Sequence, residues 1–282
     1  MSTIFKAACV QTNTGADPDE GMRAVADGVC RARDAGAAFI TTPENVLMIE
    51  ARRAAVLEKA EEEAEHRGIA GFRALARETG AWLLAGSLTV KVEADRVANR
   101  SMLFDPQGNV VASYDKMHMF DVDLEGGESY RESRTYRPGE QAVMAALPWC
   151  ELGMTICYDM RFPYLYRDLA HAGAKLLTVP SAFTRPTGRA HWHVLLRARA
   201  VETGCFVIAA AQCGEHAAGR KTYGHSLIVD PWGTVLADGG EEPGIVVADI
   251  DLAKVDEARR MVPSLQHDRT YPRLTPHASA AE

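Results

Sequence analysis

The segment GMTICYDMRFP, residues 153–163, joins a predicted strand to a predicted helix. Apolar residues alternate with small or polar ones up to Ile156, which is the pattern of a short, half-buried strand. After Pro163 they recur at helical spacing, and proline suits the first turn of a helix. Cys157 is therefore predicted to lie at a strand end, where open α/β sheets bind ligands. We expect the helix start and Arg161 to favour its thiolate form.

The composition limits the class of protein and the kinds of partner. The 282 residues are 47% hydrophobic and 24% charged, which is ordinary for a globular protein with a large core. A net charge of −7 argues against nucleic acid or an anionic membrane as the main partner. Apolar runs stay short of the roughly 20 residues that span a bilayer, and the N-terminus does not resemble a signal peptide. The six cysteines form no Cys-x-x-Cys pair, which favours reduced thiols in the cytoplasm.

Strand and helix patterns alternate along the chain, and two predicted hairpins lie among them. Their turn segments, FDPQGNVV at 104–111 and VDPWGTVL at 229–236, resemble each other, which indicates two similar halves. We predict an α/β fold of two mixed sheets packed face to face with helices outside. No linker interrupts the pattern, so residues 1–274 are predicted to form one domain and 275–282 a flexible tail.

Two further helical segments are predicted from composition and periodicity. Residues 51–79 are strongly charged and read as helical. Residues 192–203 read as an amphipathic helix that ends at Gly204. Its inward stripe is predicted to contain Val194, Leu195, Ala198 and Val201.

Three polar side chains are predicted to stand at strand ends, namely Glu44, Lys116 and Cys157. If these strands are neighbours in one sheet, the side chains meet at one edge. A carboxylate can act as the base for a thiol, and a lysine can lower the thiol pKa and stabilise an oxyanion. Singly, a glutamate or lysine is more often a surface residue, so the prediction depends on the combination.

Other hydrolase chemistries fit the sequence less well. A metal site could use His191, His193, His216 and His225, but no carboxylate or cysteine completes a ligand set at suitable spacing. A papain-like thiol hydrolase would need a histidine base, and the local cysteine signature of that class is absent.

The chain resembles the nitrilase superfamily of carbon-nitrogen hydrolases from residue 5 to about residue 272. The matching segments are TPEN (42–45), YDKMHMFDVD (114–123), GMTICYDMRFP (153–163), PSAFT (180–184), GRAHW (188–192), RARA (197–200) and YGHS (223–226). This resemblance implies a four-layer αββα sandwich, in agreement with the two-sheet prediction. It also implies a homodimer or higher homo-oligomer that associates through helices.

The resemblance implies a catalytic triad of Glu44, Lys116 and Cys157. A second family glutamate matches Glu132, which would orient Lys116 or polarise the site. The implied reaction passes through a cysteine thioester, with the oxyanion held by Lys116 and the backbone N–H of Tyr158. It requires no metal and no organic cofactor.

Within the superfamily, the second half of the chain is most similar to the deaminated-glutathione amidase branch. That branch implies a small-molecule substrate, a 2-oxo acid amide, hydrolysed to a carboxylate and ammonia. An ω-amidase acting on 2-oxoglutaramate or 2-oxosuccinamate is the alternative within the family. A nitrilase would form the same thioester, so the residues alone do not separate it from an amidase. A catalytically silent dimeric scaffold is the alternative from another class of protein. Arg161 is the expected partner of the 2-oxo carboxylate, with Phe183 and Thr184 lining the pocket. Tyr164 replaces the usual family glutamate, which we expect to affect a dimer contact more than catalysis.

Overall fold

The computed structural model describes residues 4–124 and 129–271. The strands are β1 (Ile4–Gln11), β2 (Phe39–Thr41), β3 (Glu61–Glu62), β4 (Trp82–Glu93), β5 (Arg96–Phe104), β6 (Val110–Asp115), β7 (Asp121–Asp123), β8 (Ser129–Arg131), β9 (Val143–Ala146), β10 (Glu151–Met154), β11 (Leu176–Thr178), β12 (Phe206–Ala209), β13 (Cys213–Glu215), β14 (Lys221–Tyr223), β15 (Leu227–Val229), β16 (Val235–Asp238) and β17 (Gly244–Asp251). The helices are α1 (Pro18–Asp34), α2 (Arg53–Lys59), α3 (Arg67–Thr79), α4 (Pro163–His171), α5 (Arg185–Thr203) and α6 (Ala253–Met261). In these ranges no helix is long and apolar enough to cross a membrane. The predicted tail at 275–282 lies outside the described residues, and the single domain stays a prediction.

Two mixed sheets repeat one strand plan. The first has the order β17-β1-β2-β4-β5-β6, with β3 paired to β4, and the second has the order β9-β10-β11-β12-β15-β16. Each sheet holds three parallel strands, β1-β2-β4 or β10-β11-β12, between antiparallel neighbours. The two hairpin turns also match, because Asp105 and Asp230 each accept two backbone N–H bonds at 2.8–3.0 Å. The two similar halves predicted from the turn segments are confirmed.

The four layers follow from the alternation of side chains along the strands. In the first sheet, Val10 and Ile40 pack with α1 and α3 in one core. Their neighbours Cys9 and Phe39 point the other way, into a core shared with the second sheet. The second sheet packs α4 and α5, as when Leu169 contacts β10 at Gly153. The order is helix, sheet, sheet, helix, so the predicted αββα sandwich is confirmed.

Helix α5 differs from the prediction in its start and in its buried face. It begins at residue 185 rather than 192, and Val194 and Val201 are 59% and 57% exposed instead of facing inward. The buried side includes Trp192 and Arg199, whose Nε donates to the Met160 carbonyl at 2.8 Å. The prediction was wrong for Val194 and Val201, whereas Leu195 is half-buried against the core as expected. Periodicity treats an arginine as an outward residue, but the Arg199 guanidinium finds its partners inside.

The segment 51–79 is helical only at its two ends. Between α2 and α3, β3 pairs in parallel with β4 and a 3₁₀ turn follows at Glu63–Glu65. Helix α2 stops because Ala60 is extended, and the Glu61 carboxylate accepts the Arg67 N–H at 2.8 Å where α3 begins. The continuous helical reading was therefore wrong, since local carboxylate bonding competes with helix continuation.

Candidate active site

The predicted catalytic side chains come from two sheets rather than one. Glu44 follows β2 and Lys116 follows β6 in the first sheet, whereas Cys157 follows β10 in the second. β2 and β6 are not even adjacent, so the expectation of neighbouring strands in one sheet was wrong. The three side chains nevertheless meet, because the two sheets pack face to face and their strand ends open at the same place.

A buried cluster of charges surrounds Lys116. Its Nζ lies 2.8 Å from Oε1 of Glu44 and 3.0 and 2.9 Å from the two carboxylate oxygens of Glu132. The side chains of Lys116, Glu44 and Glu132 are only 2%, 3% and 13% exposed. The second Glu44 oxygen accepts the backbone N–H of Ala182 at 2.8 Å. Each buried charge thus has a charged or hydrogen-bonding partner, as burial of ions requires.

Cys157 opens a 3₁₀ turn, Cys157–Arg161, in a left-handed backbone conformation with φ of 49°. Its N–H donates to the Pro180 carbonyl at 2.9 Å, which ties the turn to the end of the next strand. The Tyr158 N–H has no acceptor within the described part of the chain, and so it is available to an oxyanion. Non-glycine residues with positive φ also occur at Asn45 and Ala218 on the same cavity wall, a clustering typical of functional sites.

The surroundings of Cys157 favour the thiol, not the thiolate expected from the sequence. Burial, followed by the charge of Glu44, raises the pKa of the Cys157 thiol well above its usual value. Burial also raises the pKa of Glu44, but the charge of Lys116 and hydrogen bonds outweigh it, so the net shift is downward. Burial opposes the charged form of Lys116, yet the two carboxylates raise its pKa. At neutral pH an ionised Glu44 therefore faces a protonated Cys157, the arrangement of a general base and its nucleophile.

These groups lie at the wall of a cavity of about 710 Å³, within the range of about 300–1,000 Å³ typical of ligand sites. The wall includes Glu44, Lys116, Glu132 and Cys157. It also carries four arginines, which the sequence did not single out: Arg53, Arg131, Arg134 and Arg220. The cavity can therefore attract an anionic substrate as well as attack a carbonyl group.

A family model described as carbon-nitrogen hydrolase matches residues 6–260. The chain belongs to the carbon-nitrogen hydrolase family. It is 41% identical to a deaminated glutathione amidase of Yersinia enterocolitica, over 87% of each chain. It is also 43% identical to one of Rattus norvegicus, over 93% of this chain and 81% of that one. Saccharomyces cerevisiae Nit3, a member of branch 10 of the nitrilase superfamily, superposes with a TM-score of 0.84 at 28% identity, covering 92% of this chain and 94% of that one.

These similarities make the protein an amide-hydrolysing enzyme with the nitrilase fold. The carbon-nitrogen hydrolase resemblance noted in the sequence is confirmed, and so is its similarity to the deaminated-glutathione amidase branch. Neither the family nor these relatives support a catalytically silent scaffold.

The four residues predicted to bind substrate take different places in this carbon-nitrogen hydrolase. Tyr158, Phe183 and Thr184 line the cavity. Arg161 stands outside the lining set, with its guanidinium 5.7 Å from the ring centre of Tyr158 and 5.5 Å from that of Phe183. Its Nη2 also lies 3.2 Å from Nδ1 of His191. Arg161 therefore contacts the two aromatic rings that border the cavity but does not itself line the cavity.

Asp159, which the sequence analysis did not single out, braces the catalytic turn. It is fully buried and accepts the Tyr114 hydroxyl at 2.7 Å, the His118 N–H at 3.0 Å and the Ile156 N–H at 2.8 Å. These bonds join the end of β6, which carries Lys116, to the turn of Cys157. Tyr164, the departure from the family pattern, contacts Nε2 of His118 at 3.0 Å through its hydroxyl.

The histidines considered for a metal site do not gather into one group within the described residues. His193 and His225 each lie beside Asp238, at 3.0 and 2.8 Å, in a cluster apart from the Cys157 cavity. His216 instead contacts the Thr14 carbonyl and the Thr222 hydroxyl, and His191 faces Arg161. The histidine set considered in the sequence is therefore divided, and Asp238, a carboxylate that sequence spacing did not reveal, lies with two of its members.

Asn99 on β5 is a positioning residue that sequence reasoning missed. Its Nδ2 donates to Oε1 of Glu44 at 2.9 Å and to Oε1 of Glu132 at 3.2 Å, and the Asn99 carbonyl accepts the Lys116 N–H at 3.0 Å. One amide thus bridges the two carboxylates that share the lysine. An asparagine inside a strand pattern carries no chemical signal in the sequence.

Replacing Asn99 with leucine is expected to lower the free energy of unfolding by about 2 kcal/mol, because hydrogen bonds to charged groups contribute about 1.5–3 kcal/mol. It should also move the acid limb of kcat/KM to higher pH, because a hydrogen bond to the ionised carboxylate favours that form. Urea unfolding and a pH–rate profile test both effects, with Asn109→Leu in the exposed β5–β6 turn as the control. An unshifted acid limb would show that Asn99 supports only folding.

Proposed function

We propose that this carbon-nitrogen hydrolase splits the amide of deaminated glutathione, a 2-oxo acid amide, through a thioester on Cys157. The observation that carries the proposal is the 41% and 43% identity to deaminated glutathione amidases, over most of both chains. An ionised carboxylate beside a buried thiol, at the wall of a cavity rich in arginine, supports it. An ω-amidase acting on 2-oxoglutaramate or 2-oxosuccinamate is the second candidate, since those substrates share the 2-oxo acid.

In the first half of the reaction, Glu44 takes the thiol proton while sulfur attacks the amide carbonyl carbon. The new C–S bond places negative charge on the carbonyl oxygen, where the Lys116 ammonium and the free Tyr158 N–H can stabilise it. Glu132 and Asn99 hold the lysine and Glu44 in place. The C–N bond then breaks, and Glu44 returns the proton to the leaving amine.

In the second half, Glu44 removes a proton from water as the water oxygen attacks the thioester. Collapse of that intermediate breaks the C–S bond, and Glu44 returns the proton to the Cys157 sulfur. The product leaves as a carboxylic acid that ionises in solution. The thiol and the carboxylate base are restored, and one water has been consumed for each amide cleaved.

The identity of the leaving group depends on the substrate, and the sequence-based expectation of ammonia needs correction on chemical grounds. In deaminated glutathione an oxo group replaces the free amino group, so the scissile amide joins a 2-oxoglutaryl group to cysteinylglycine. Hydrolysis of that amide releases cysteinylglycine and 2-oxoglutarate. Ammonia is released only from a primary amide such as 2-oxoglutaramate.

The two substrates share one product, so a single assay of 2-oxoglutarate compares them directly. We expect a larger kcat/KM for deaminated glutathione than for 2-oxoglutaramate, with Cys157→Ala as the control for background hydrolysis. The opposite preference would assign the protein to the ω-amidases and leave the mechanism in place. If neither substrate gives a Cys157-dependent product, 2-oxo acid amides are not the substrate class of this enzyme.

We further infer that the enzyme acts in the cytoplasm as a homodimer or higher homo-oligomer. All six cysteines are free thiols, which suits a reducing compartment. The outer side of α5 exposes the apolar Val194 and Val201, and Trp232 is 57% exposed. Exposed apolar side chains of this kind suit contact with a second copy of the chain. Light scattering at micromolar concentration would detect a monomer if this inference fails.

A further inference from the structure

Arg220 stands on the cavity wall next to the catalytic cluster. It follows the 3₁₀ turn Ala217–Gly219 between β13 and β14, and its Nη2 donates to the Ala182 carbonyl at 2.8 Å. The N–H of the same Ala182 donates to Glu44. The guanidinium also lies 5.5 Å from the ring centre of Tyr130. Arg220 is thus linked to the proposed general base through a single residue, Ala182.

The guanidinium of Arg220 forms no ion pair in the described parts of the chain, although its charge helps to lower the pKa of Glu44. Arg53 and Arg131, on the same wall, pair with Asp95 at 3.4 Å and with Asp123 at 2.8 Å. No ion pair joins Arg220 to any carboxylate among the described residues, and its buried Nε has no hydrogen-bond acceptor there. A half-buried guanidinium without a carboxylate is costly unless an anion completes it.

The loop that carries Arg220 is built to hold it in place. The buried His216 ring contacts the Thr14 carbonyl, in the segment after β1, at 2.8 Å and the Thr222 hydroxyl on β14 at 2.6 Å. Ala218 adopts a left-handed conformation with φ of 59°, which turns the chain toward the cavity. The Nη2 bond to Ala182 fixes the guanidinium and leaves Nη1 as a donor for a ligand.

Deaminated glutathione carries a carboxylate that ω-amidase substrates lack, at the glycine end of the leaving peptide. We propose that Arg220 binds this distal carboxylate and so selects amides with a peptide leaving group over primary amides. The assignment rests on the proposed function and adds to it an anion subsite for the leaving peptide. The cysteinylglycine half, two residues long, spans about 7 Å when extended, and a cavity of about 710 Å³ accommodates that length.

The test compares Arg220→Gln with the wild type on three substrates: deaminated glutathione, its glycine carboxamide and 2-oxoglutaramate. For deaminated glutathione we expect kcat/KM to fall about 10- to 100-fold, mainly through KM, because a charge-assisted hydrogen bond is lost. The kcat/KM of the wild type should be lower for the carboxamide than for deaminated glutathione by about the same factor. The Arg220→Gln variant should hydrolyse the acid and the carboxamide with equal kcat/KM. Activity on 2-oxoglutaramate should stay within about threefold.

Two further variants separate binding from structural damage. Arg220→Lys keeps the charge and is expected to restore part of the preference for the acid over the carboxamide. Arg137→Gln removes the same charge from an exposed pair with Glu93 and should leave all three rates unchanged. Thermal unfolding of each variant reports whether it is folded.

The matched substrates give each outcome a distinct meaning. An equal loss on all three substrates would overturn the subsite, because Arg220 would then act on the shared 2-oxo acid half or on Glu44. An undiminished preference of Arg220→Gln for the acid over the carboxamide would overturn it as well. Failure of the wild type to hydrolyse deaminated glutathione would instead refute the proposed function, a result that the wild-type rates alone reveal.

Discussion

Replacing Cys157 with alanine is expected to lower kcat for amide hydrolysis by about 10⁴-fold or more, because no sulfur remains to form the thioester with the acyl group. The backbone turn should survive, since alanine keeps the Cβ and the N–H bond to Pro180. Cys157→Ser should be nearly as inactive, because a hydroxyl is a much harder group for Glu44 to deprotonate. Measuring 2-oxoglutarate release under single-turnover conditions sets the lower limit on the loss.

The matched control is Cys150→Ala, which removes a half-buried thiol that does not line the cavity. It should retain activity within about twofold of the wild type. Both variants should unfold at nearly the wild-type temperature, so that a loss at Cys157 cannot be attributed to unfolding. Retention of more than about a tenth of the activity in Cys157→Ala would refute the thioester mechanism.

The residues of the proposed triad could be identified from the sequence because each follows a strand with its own local pattern. Glu44, Lys116 and Cys157 were found in this way, and the family resemblance added Glu132. Their arrangement could not be predicted, since it depends on two sheets meeting face to face. Local periodicity reports which side of a strand is buried, but not which sheet lies opposite.

The wrong sequence-based predictions share a cause, because polar side chains find hydrogen-bonding or charged partners inside the protein. Arg199 is buried against the Met160 carbonyl, so the buried face of α5 could not be found by counting apolar residues. Asn99 and Asp159 are buried because they bridge charged groups and turns that lie far apart in sequence. The thiolate expectation failed for a related reason, since burial and Glu44 outweigh the effect of nearby cations on Cys157. Sequence patterns do not contain such pairings, and only the assembled core reveals them.

Replacing Lys116 with methionine is expected to cost about 3–5 kcal/mol of folding free energy and to abolish activity, because two buried carboxylates lose their shared cation. Urea unfolding at pH 7 measures the stability. Lys175→Met, which breaks an exposed pair with Asp256, is the control and should cost less than about 1 kcal/mol.

The pH dependence of this loss distinguishes electrostatics from packing. In the wild type the pKa of Glu44 is lowered, so its contribution to stability is present above the unfolded-state pKa and is lost as pH falls through the folded pKa. In Lys116→Met, burial and the facing Glu132 should raise the pKa of Glu44 above its unfolded-state value. The variant should therefore lose stability as pH rises through that raised pKa. The difference in stability between the two proteins should therefore be largest at pH 7, smaller near pH 4–5 and smaller still below it, where the wild type loses the contribution of Glu44. Adding Glu132→Gln to Lys116→Met should recover part of the stability at pH 7 without restoring activity, whereas an equal loss at both pH values would mean that Lys116 matters for packing alone.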